Sequence, residues 1–424
     1  MAADESESGE IPENSVWKHM THVLVAVVVF TIPLFSTNVV ADRGAPMIVI
    51  SVVPILALSL LAYPRIPGIL ARNLSNPAGW MLILIPVLMT IAVFFNPSGI
   101  GRGTVFLAVA ASGVGFAVWD MTRSEMKRFV AIPLLAATTL QASLAAAQLL
   151  TGQSVVPTFV AHDIMVRVID GVPRPQGTMA HVYRLAALGV LGLGVGAIAL
   201  RRNFGASPIF LAAMAGASAL VAMTFSRAAF VGVLTFTMIL AVARYRGSRN
   251  AGRVACAVAL AFAVTVVLTL PSWTARADHT TEHDLDDASL GRMTLMAQAV
   301  ELARLDPMTG LGPNRYLEVL EERDMVDDRY PFMVHNYALA FAVENGVIAG
   351  IAIAGLLAWL GVAAYRAGPA SIAAFGGVLP LLMFDVLHYD APSGQVMLGV
   401  WLGALAATIK WGTLVGEERI TDGI

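Results

Sequence analysis

Charged residues are scarce in this chain. Only 13% of its 424 residues are Asp, Glu, Lys or Arg, whereas 57% are hydrophobic; a soluble globular protein averages about a quarter charged residues. The apolar residues also form long runs that contain almost no charge. This composition excludes a nucleic-acid-binding domain, a disordered protein and a secreted disulfide scaffold. It indicates a polytopic membrane protein.

Cysteine is nearly absent, and neither sign of charge dominates. The single cysteine, Cys256, excludes an internal disulfide and any multi-cysteine metal site. Because Cys256 sits in an apolar run, we expect a buried, inert thiol. The 27 Lys and Arg residues against 29 Asp and Glu residues leave a net charge of -2. The overall charge therefore points to no acidic or basic partner, and no nucleic acid is expected.

A helix that spans a bilayer needs about 20 mostly apolar residues, and twelve runs come near that length. They lie at about 21–41, 45–63, 79–95, 104–119, 129–150, 185–200, 207–225, 228–243, 254–272, 347–365, 369–387 and 394–412. The sequence therefore predicts an all-α fold, a polytopic transmembrane helical bundle of about twelve spans. Several runs are short, which leaves two of them open to a re-entrant or interfacial position.

Lys and Arg residues set the expected orientation, because cytoplasmic loops carry an excess of them. With the N-terminus inside, fifteen lie in inner segments and six in short outer segments. The inner ones are Lys18, Arg65, Arg72, Arg123, Lys127, Arg128, Arg201, Arg202, Arg244, Arg246, Arg249, Arg253, Arg366, Lys410 and Arg419. The outer ones are Arg43, Arg102, Arg167, Arg174, Arg184 and Arg227. We therefore expect both termini in the cytoplasm.

Four regions follow from this layout. Residues 1–17 are polar and acidic, unlike the basic start of a signal peptide, and predict a disordered cytoplasmic tail. Residues 18–272 hold spans 1–9. Residues 273–334 form a large outer loop between spans 9 and 10, long enough for a small helical subdomain. Residues 335–424 hold spans 10–12 and a cytoplasmic tail.

Two helices are predicted inside the outer loop. The segment LGRMTLMAQAVELARLDP has apolar residues at helical spacing: Met293, Met296, Ala297, Val300 and Ala303. Asp306 ends that helix, since the residue before a proline disfavours the helical region. The glycines of TGLGPNRY predict a tight turn, and a second helix is expected from about Tyr316 to Arg323.

An acidic tract, Asp278 to Asp287, opens the loop, and we interpret it as a solvated linker. His279 and His283 have a helical metal-ligand spacing, and Asp284-Leu285-Asp286 resembles the acidic pair of metal-dependent nucleotide-sugar glycosyltransferases. Nucleotide sugars are cytoplasmic, however, whereas this loop is expected outside. We therefore predict no metal site and no cofactor.

The loop ends in VHNYALAFAVENGVIAG, where the chain re-enters the membrane. His335 and Asn336 lie at that point, and Glu344 follows Asn336 by two helical turns. An unperturbed histidine has a pKa of about 6.5, which suits a base at neutral pH. Gly346 and Gly350 are spaced for close helix packing in lipid.

Arginines on the expected outer face run against the positive-inside bias, so each needs a reason. Arg227 lies between two spans in TFSRAAFVG. Arg174 and Arg184 surround PQGTMAHVY, and Arg292 opens the first loop helix. Guanidinium groups bind phosphate in bidentate fashion and stay charged, so several at one face suit a lipid-linked diphosphate. For Arg227 the alternative is a side chain that extends to the lipid headgroups.

Four segments, in this order, make the chain resemble the bacterial O-antigen ligase and O-antigen polymerase superfamily of polytopic membrane glycosyltransferases. They are RPQGTMAHVYRLA, TFSRAAFVG, GRMTLMAQAVELARLDPMTGLGPNRY and HNYALAFAVENGVIAG. The resemblance covers about residues 165–365, and the first 150 residues match only as hydrophobic spans. The chain departs from the pattern at His181-Val182-Tyr183, where many relatives carry a Pro-Asn pair.

The resemblance implies an inverting, metal-independent enzyme of the bacterial inner membrane, with its large loop in the periplasm. Its donor would be a glycan on undecaprenyl diphosphate, and its acceptor a glycan or a lipid-linked core. The family's loop histidine falls on His335, and its arginines fall on Arg227 and Arg292. The supporting candidates are Arg174, Arg184, Arg315, Asn336 and Glu344.

Three other functions stay open. A polymerase that joins repeat units uses the same donor as a ligase and differs only in its acceptor. A transporter or flippase requires functional charges at mid-membrane, where Asp385, near a span end, is the main candidate. A non-catalytic membrane scaffold would tolerate the loss of His335 and of the arginines.

Overall fold

Helices account for most of the computed structural model, which describes residues 13–34, 45–71, 74–153, 167–169, 172–179, 181–200, 207–275, 285–325, 334–384 and 392–421. The α-helices are α1 Glu13–Thr31, α2 Ala45–Ala62, α3 Ile66–Ala71, α4 Pro77–Phe95, α5 Gly99–Trp119, α6 Arg123–Met126, α7 Ile132–Thr151, α8 Val182–Ala199, α9 Pro208–Met223, α10 Arg227–Tyr245, α11 Arg249–Leu268, α12 Leu285–Leu305, α13 Tyr316–Glu322, α14 Tyr337–Asn345, α15 Val347–Ala367, α16 Pro369–Phe384 and α17 Pro392–Thr421. A π-helical turn, Lys127–Ala131, joins α6 to α7.

Polar caps and prolines set where several helices begin. The Asn76 side chain accepts a hydrogen bond from the N–H of Ala78, and Pro77 takes the first helical position of α4. Ser207 and Pro208 start α9 in the same way. Such residues satisfy backbone N–H groups that a helix leaves free at its start. An Asn-Pro or Ser-Pro pair before an apolar run therefore marks the beginning of a helix.

Each of the twelve predicted runs overlaps a helix; residues 35–41 and 385–387 of two runs lie outside the described ranges. Among the described residues, nine helical stretches are long and apolar enough to cross a membrane. Helices α9 and α16 are shorter apolar helices of 16 residues each, and the last run lies in α17. The all-α membrane bundle is confirmed, while the number of twelve spans stays a prediction.

Small residues let α5 and α17 cross with their backbones in contact. A Cβ added at Gly399 would collide with the carbonyl oxygen of Ala111, and one added at Gly403 with that of Gly115. Helices in lipid associate through such close packing, because no hydrophobic difference between lipid and protein drives them together. Helix α8 is almost entirely buried, and Tyr183 in its first turn is exposed, so protein surrounds most of this helix.

One short hairpin departs from the all-α prediction. Strands β1 Arg167–Ile169 and β2 Val172–Arg174 pair antiparallel, with Arg167 opposite Arg174. The sequence RVIDGVPR places Asp-Gly between two short extended runs, which is a strong signal for a two-residue hairpin turn. The connection between α7 and α8 is therefore partly ordered as a sheet.

Two further predictions are corrected at the level of single residues. Helix α1 begins at Glu13, inside the segment 1–17 that we predicted to be disordered; residues 1–12 lie outside the described ranges. Cys256 is exposed on α11, not buried. An apolar run predicts burial only when water is the solvent, and an apolar helix face in a membrane protein faces lipid.

The two loop helices are found where they were predicted. Helix α12 ends at Leu305, before Asp306-Pro307, and α13 begins at Tyr316. Helix α12 begins at Leu285, inside the tract predicted as linker. Its buried face is Leu295, Ala299, Leu302 and Ala303. Met293, Met296 and Val300, which gave the helical spacing, are exposed. Helix α12 carries apolar residues on two faces, and periodicity alone does not choose between them.

Candidate active site

Several connections between helices meet at one end of the bundle, termed the loop end below. Asn96, after α4, donates from Nδ2 to the carbonyl oxygen of Gly310 at 2.6 Å. Thr178, before α8, donates from Oγ1 to the carbonyl oxygen of Pro33, after α1, at 3.2 Å. Because successive spans alternate in direction, the starts of α5, α8, α10 and α15 also lie there. All the predicted site residues follow or precede these connections.

Glu344, in the last turn of α14, is fully buried and fastens the segment 312–316. Its Oε2 accepts from the N–H of Asn314 at 2.6 Å, and its Oε1 accepts from the N–H of Tyr316 at 3.1 Å. The Gly312 N–H donates to the carbonyl oxygen of Glu344 at 2.9 Å. We term Glu344 with residues 312–316 the carboxylate latch. Because both carboxylate oxygens accept hydrogen bonds, the ionised side chain fits the site.

Tyr316 lies in the carboxylate latch and is shielded from solvent. Its side chain is buried, and its hydroxyl donates to the carbonyl oxygen of Leu295 in α12 at 3.4 Å. Burial, reinforced by the charge of Glu344, raises the pKa of the Tyr316 phenol. The phenol therefore stays neutral, and the latch joins α13, α12 and α14 into one unit.

Two glycines allow the loop to approach α14. Gly310 has φ of 70°, and an added Cβ would collide with the backbone at the end of α14. Gly346 has φ of 93° and separates α14 from α15; an added Cβ there would collide with the carbonyl of Met308. Gly350 lies against Ala342 of α14. Gly346 and Gly350, the pair predicted for packing between helices, therefore lie at the turn between the consecutive helices α14 and α15. Gly346 also lets the loop at Met308 pack against this turn.

Two glutamines of α7 hold the segment before α8. Gln148 accepts at Oε1 from the N–H groups of Gln176 and Gly177 at 3.0 and 2.9 Å, and its Nε2 donates to the Gly177 carbonyl at 3.1 Å. Gln141 accepts at Oε1 from the N–H of Thr178 and donates to its hydroxyl, both at 2.9 Å. We term Gln141 and Gln148 with residues 176–178 the amide cradle. It fixes this segment with neutral groups alone.

Two buried arginines flank the cradle segment in the sequence, one before it and one after it. Arg174 on β2 is 2% exposed, and Arg184 in the first turn of α8 is 4% exposed. A guanidinium stays protonated at any relevant pH, so the pair places fixed positive charge inside the loop end. Both were predicted on this face because they run against the positive-inside bias.

Arg227 begins α10, and its side chain is exposed. The turn before it is unusual: Phe225 has φ of 54°, a conformation uncommon for residues other than glycine. The buried Phe225 ring packs edge-on against Trp273 with centroids 5.3 Å apart. Ser226 caps the helix by accepting from the N–H of Ala229 at 3.3 Å. Packing therefore holds a strained turn that presents Arg227 at the loop end.

His335 and Asn336 form the entry to α14. Asn336 accepts at Oδ1 from the N–H of Leu339 at 3.0 Å and so caps the helix. His335, half-buried, comes directly before that cap. Helix α14 has nine residues, with Glu344 near its other end. The latch and the histidine are thus fixed at the two ends of one short helix.

Arg315 and Arg292, the other two candidate arginines, differ from Arg174, Arg184 and Arg227. Arg315 forms an ion pair with Glu318, with Nε 3.0 Å from Oε2, and its Nη2 lies 3.8 Å from Glu322. The hydrogen bond between them lowers the pKa of Glu318 and raises that of Arg315. The charge of Arg315 is therefore matched within α13. Arg292 lies on α12, and its side chain is outside the described part of the structure.

The side chains of the four potential metal ligands and of Asp385, the charge considered for a transporter, are not described. His279, His283, Asp284 and Asp385 lie outside the described ranges, and Asp286 is described only as backbone of α12. Among the residues whose positions are described, no group of three or more His, Cys, Asp or Glu side chains is arranged to hold a metal ion.

A narrow apolar cleft lies beneath the loop end, between α4, α5 and α17. Met81, Met89 and Leu402 are among the apolar residues of its wall. Tyr337 of α14 and Gln395 of α17 add polar groups. The cleft therefore adjoins the helix that begins beside His335.

Sequence analysis missed the groups that anchor the site. Gln141 and Gln148 are polar residues seven apart in an apolar span, which places them on one helix face, and that spacing was a usable signal. Asn96 also went unrecognised: besides its bond to Gly310 it approaches the Thr309 hydroxyl at 3.4 Å. A single asparagine at a helix end gives no sequence signal for a contact more than 200 positions away.

Residues 210–354 match a family model described as O-Antigen ligase. This is about a third of the chain, and it contains Arg227, Arg292, His335 and the carboxylate latch. The resemblance to the O-antigen ligase superfamily is confirmed by this match. Arg174, Arg184 and the amide cradle lie outside the matched residues. A comparison with curated proteins finds no match.

Proposed function

We propose that this protein, which carries an O-antigen ligase domain over residues 210–354, transfers a glycan from undecaprenyl diphosphate to an acceptor at the loop end. One observation carries the proposal: the turn that presents Arg227 and the capped helix entry that carries His335 lie at the same end of a membrane bundle. A lipid-linked donor needs such a place, because its tail lies in the bilayer while its sugar lies in water.

The proposed reaction is a single displacement. The acceptor hydroxyl oxygen forms a bond to the anomeric carbon, and the bond from that carbon to the diphosphate oxygen breaks with both electrons going to the diphosphate. Neutral His335 accepts the proton of the hydroxyl as it attacks. Attack opposite the leaving group inverts the anomeric configuration.

Fixed positive charge stabilises the leaving diphosphate in this proposal. Arg227 and Arg292 contact its oxygens, since a guanidinium forms two parallel hydrogen bonds to phosphate. The buried Arg174 and Arg184 supply further positive potential from the neighbouring segment. A diphosphate is already a good leaving group, so the proposed chemistry requires no metal and no cofactor.

Other groups act by positioning. Asn336 caps the helix that follows His335, and Glu344 fastens the far end of that helix to the segment of Arg315. The narrow apolar cleft between α4, α5 and α17 reaches α14, so the surface beside the entry that carries His335 is apolar, as a site next to a polyprenyl tail requires. The lipid bilayer, the lipid-linked donor and a glycan or lipid-linked acceptor are the proposed partners.

The proposed location is the bacterial inner membrane, with both termini in the cytoplasm and the loop end in the periplasm. The excess of Lys and Arg in the opposite connections supports this orientation. Glycans on undecaprenyl diphosphate are polymerised and transferred on that side, so donor and site would meet there.

Glycan analysis of a deletion strain tests the proposal. We expect O-chains to be missing from the lipid A-core while long lipid-linked polymer accumulates, and the wild-type gene should restore attachment. Single-repeat products in the deletion strain would assign the protein as a polymerase on the same donor. Unchanged surface glycan and unchanged lipid-linked intermediates would contradict both assignments.

A further inference from the structure

A cluster of arginines lies at the end of the bundle opposite the loop end. The turn between α10 and α11 reads ARYRGSRNAGR and holds four arginines within ten residues, 244–253. An open cavity of about 820 Å³ lies beside this turn, between α9, α10 and α11. Its lining residues are Leu211, Arg244, Arg249, Gly252, Arg253 and Cys256. Three of the four arginines therefore face one cavity.

These arginines have no carboxylate nearby in the chain. No Asp or Glu occurs between Asp170 and Asp278. Within the part of the chain that the structure describes, Arg244, Arg249 and Arg253 form no ion pair within 4.0 Å. Three positive charges around one cavity repel each other unless an anion lies between them. The cavity is therefore a site for an anionic ligand.

Gly252 orients one of the three. A Cβ added at Gly252 would overlap the aliphatic part of Arg244, at its Cγ and Cδ. The absence of a side chain at position 252 thus lets the stem of Arg244 lie along α11, with the guanidinium directed at the cavity. Ordering the arginine before the ligand arrives reduces the entropy lost on binding.

The apolar part of the lining points to the class of ligand. Leu211 of α9 and Cys256 of α11 lie one to two turns from the helix ends, and Cys256 is exposed. Arg249 also lines a second cavity of about 1190 Å³ on the other side of the turn, against Pro369 and Leu200. The arginines therefore lie where a polar end of the bundle meets its apolar flank, which is the position of lipid headgroups.

We propose that the cavity lined by Arg244, Arg249 and Arg253 binds the phosphate of an anionic phospholipid. Guanidinium groups match phosphate geometry in bidentate fashion, and basic pockets between membrane helices bind anionic headgroups. The site is separate from the proposed glycan-transfer site, which lies at the other end of the same helices.

The test uses the purified full-length protein in neutral detergent, stripped of lipid. Phosphatidylglycerol or phosphatidylcholine is added in mixed micelles, and bound lipid is counted by native mass spectrometry while Tm is followed in parallel. We expect the wild-type protein to retain phosphatidylglycerol in preference to phosphatidylcholine and to gain Tm with it, since a ligand that binds only the folded state stabilises it.

Two kinds of variant distinguish binding in the arginine-lined cavity from attraction of the lipid by general surface charge. Arg244→Gln and Arg249→Gln should each weaken phosphatidylglycerol binding roughly fivefold. Arg366→Gln removes an equally exposed arginine at the same end, outside the cavity, and should bind like wild type. Gly252→Ala displaces the Arg244 stem without changing any charge or the positive-inside balance, and it should weaken binding while insertion stays normal.

The same measurements include results that overturn the proposal. Equal retention of the two lipids by the wild-type protein would overturn it, and so would a loss with Arg366→Gln as large as with Arg249→Gln. A Tm gain from inorganic phosphate alone equal to that from phosphatidylglycerol would assign the cavity to a soluble anion instead of a lipid.

Discussion

The amide cradle and the carboxylate latch fix two backbone segments at the same end of the bundle, and they do so with different chemistry. Gln141 and Gln148 hold the segment that carries Arg174 and Arg184 with neutral amides. Glu344 holds its segment with a charge. An amide both donates and accepts, so it fastens a backbone N–H and a carbonyl without cancelling the charge of neighbouring arginines; a carboxylate only accepts.

This difference matches the distribution of charge along the chain. The arginine-bearing stretch between Asp170 and Asp278 contains no carboxylate at all, whereas Arg315, next to the latch, is paired with Glu318. The comparison teaches that the backbone is fastened by neutral amides on the cradle side and by a carboxylate, beside an ion pair, on the latch side. On the latch side the remaining candidate for chemistry is His335.

Two histidines in the described part of the loop end, His335 and His181, give the comparison its strongest test. His335→Ala on the latch side should lower transfer by about 100-fold or more, because loss of a general base costs that much. His181→Ala on the cradle side is the matched control and should keep most activity. Complementation of a deletion strain, at equal protein level in the membrane, measures both. Full complementation by His335→Ala would remove this residue from the mechanism.

The next largest loss of activity is expected when arginine is replaced by lysine. Arg227→Lys and Arg292→Lys should each lose most activity, about tenfold or more, because a point charge does not replace a bidentate fork. Arg102→Lys changes an exposed arginine in the first turn of α5 at the same end and should be near wild type. The assay is turnover of the lipid-linked donor. Near-normal turnover in both variants would exclude diphosphate binding by Arg227 and Arg292.

Exchanging the anchors tests whether the two chemistries are interchangeable. Glu344→Gln directs an amide donor at backbone N–H groups and should destabilise the fold by about 1.5–3 kcal/mol. Gln148→Glu removes the donor to the Gly177 carbonyl and brings a negative charge to the arginine side, so it should also lower Tm. Glu318→Gln, at a partly exposed site, should change Tm less than either exchange. Unchanged Tm in both exchange variants would show that neither anchor matters.

The smallest effect on activity is expected from cysteines that report the side of the membrane. Ser289→Cys and Asp324→Cys, in a Cys256→Ala background, should leave transfer unchanged and should react with an impermeant maleimide in intact spheroplasts. Cys256 is exposed, so its removal is needed for a clean background. Labelling only after lysis would reverse the topology and place the loop end where nucleotide sugars are available.

Much of the fold could be predicted from the sequence, because lipid requires long apolar helices and these are visible as runs. Asp306-Pro307 and the glycines of TGLGPNRY also gave the ends of the loop helices correctly. Burial was harder to predict: Cys256, expected to be buried, is exposed, because an apolar helix face in a membrane protein can face lipid as well as protein.

The site could be predicted only in part. Arginines that run against the positive-inside bias gave the candidates Arg174, Arg184 and Arg227, and a histidine at a membrane entry gave His335; their roles stay predictions. The contacts that fix them join distant positions, such as Asn96 to Gly310 and Gln148 to Gly177. Neither composition nor spacing reports such pairs, because each partner is an ordinary residue in its own segment.

The most direct test of the central claim is to follow the donor in a purified system. Wild-type protein, a glycan on undecaprenyl diphosphate, an acceptor and EDTA are combined, and the products are identified by mass spectrometry and NMR. We expect one undecaprenyl diphosphate released for each glycan transferred, an inverted anomeric linkage and no loss of rate with chelator. Transfer only from a nucleotide sugar, or only with an added divalent ion, would contradict the account and would make His279, His283, Asp284 and Asp286 metal-ligand candidates.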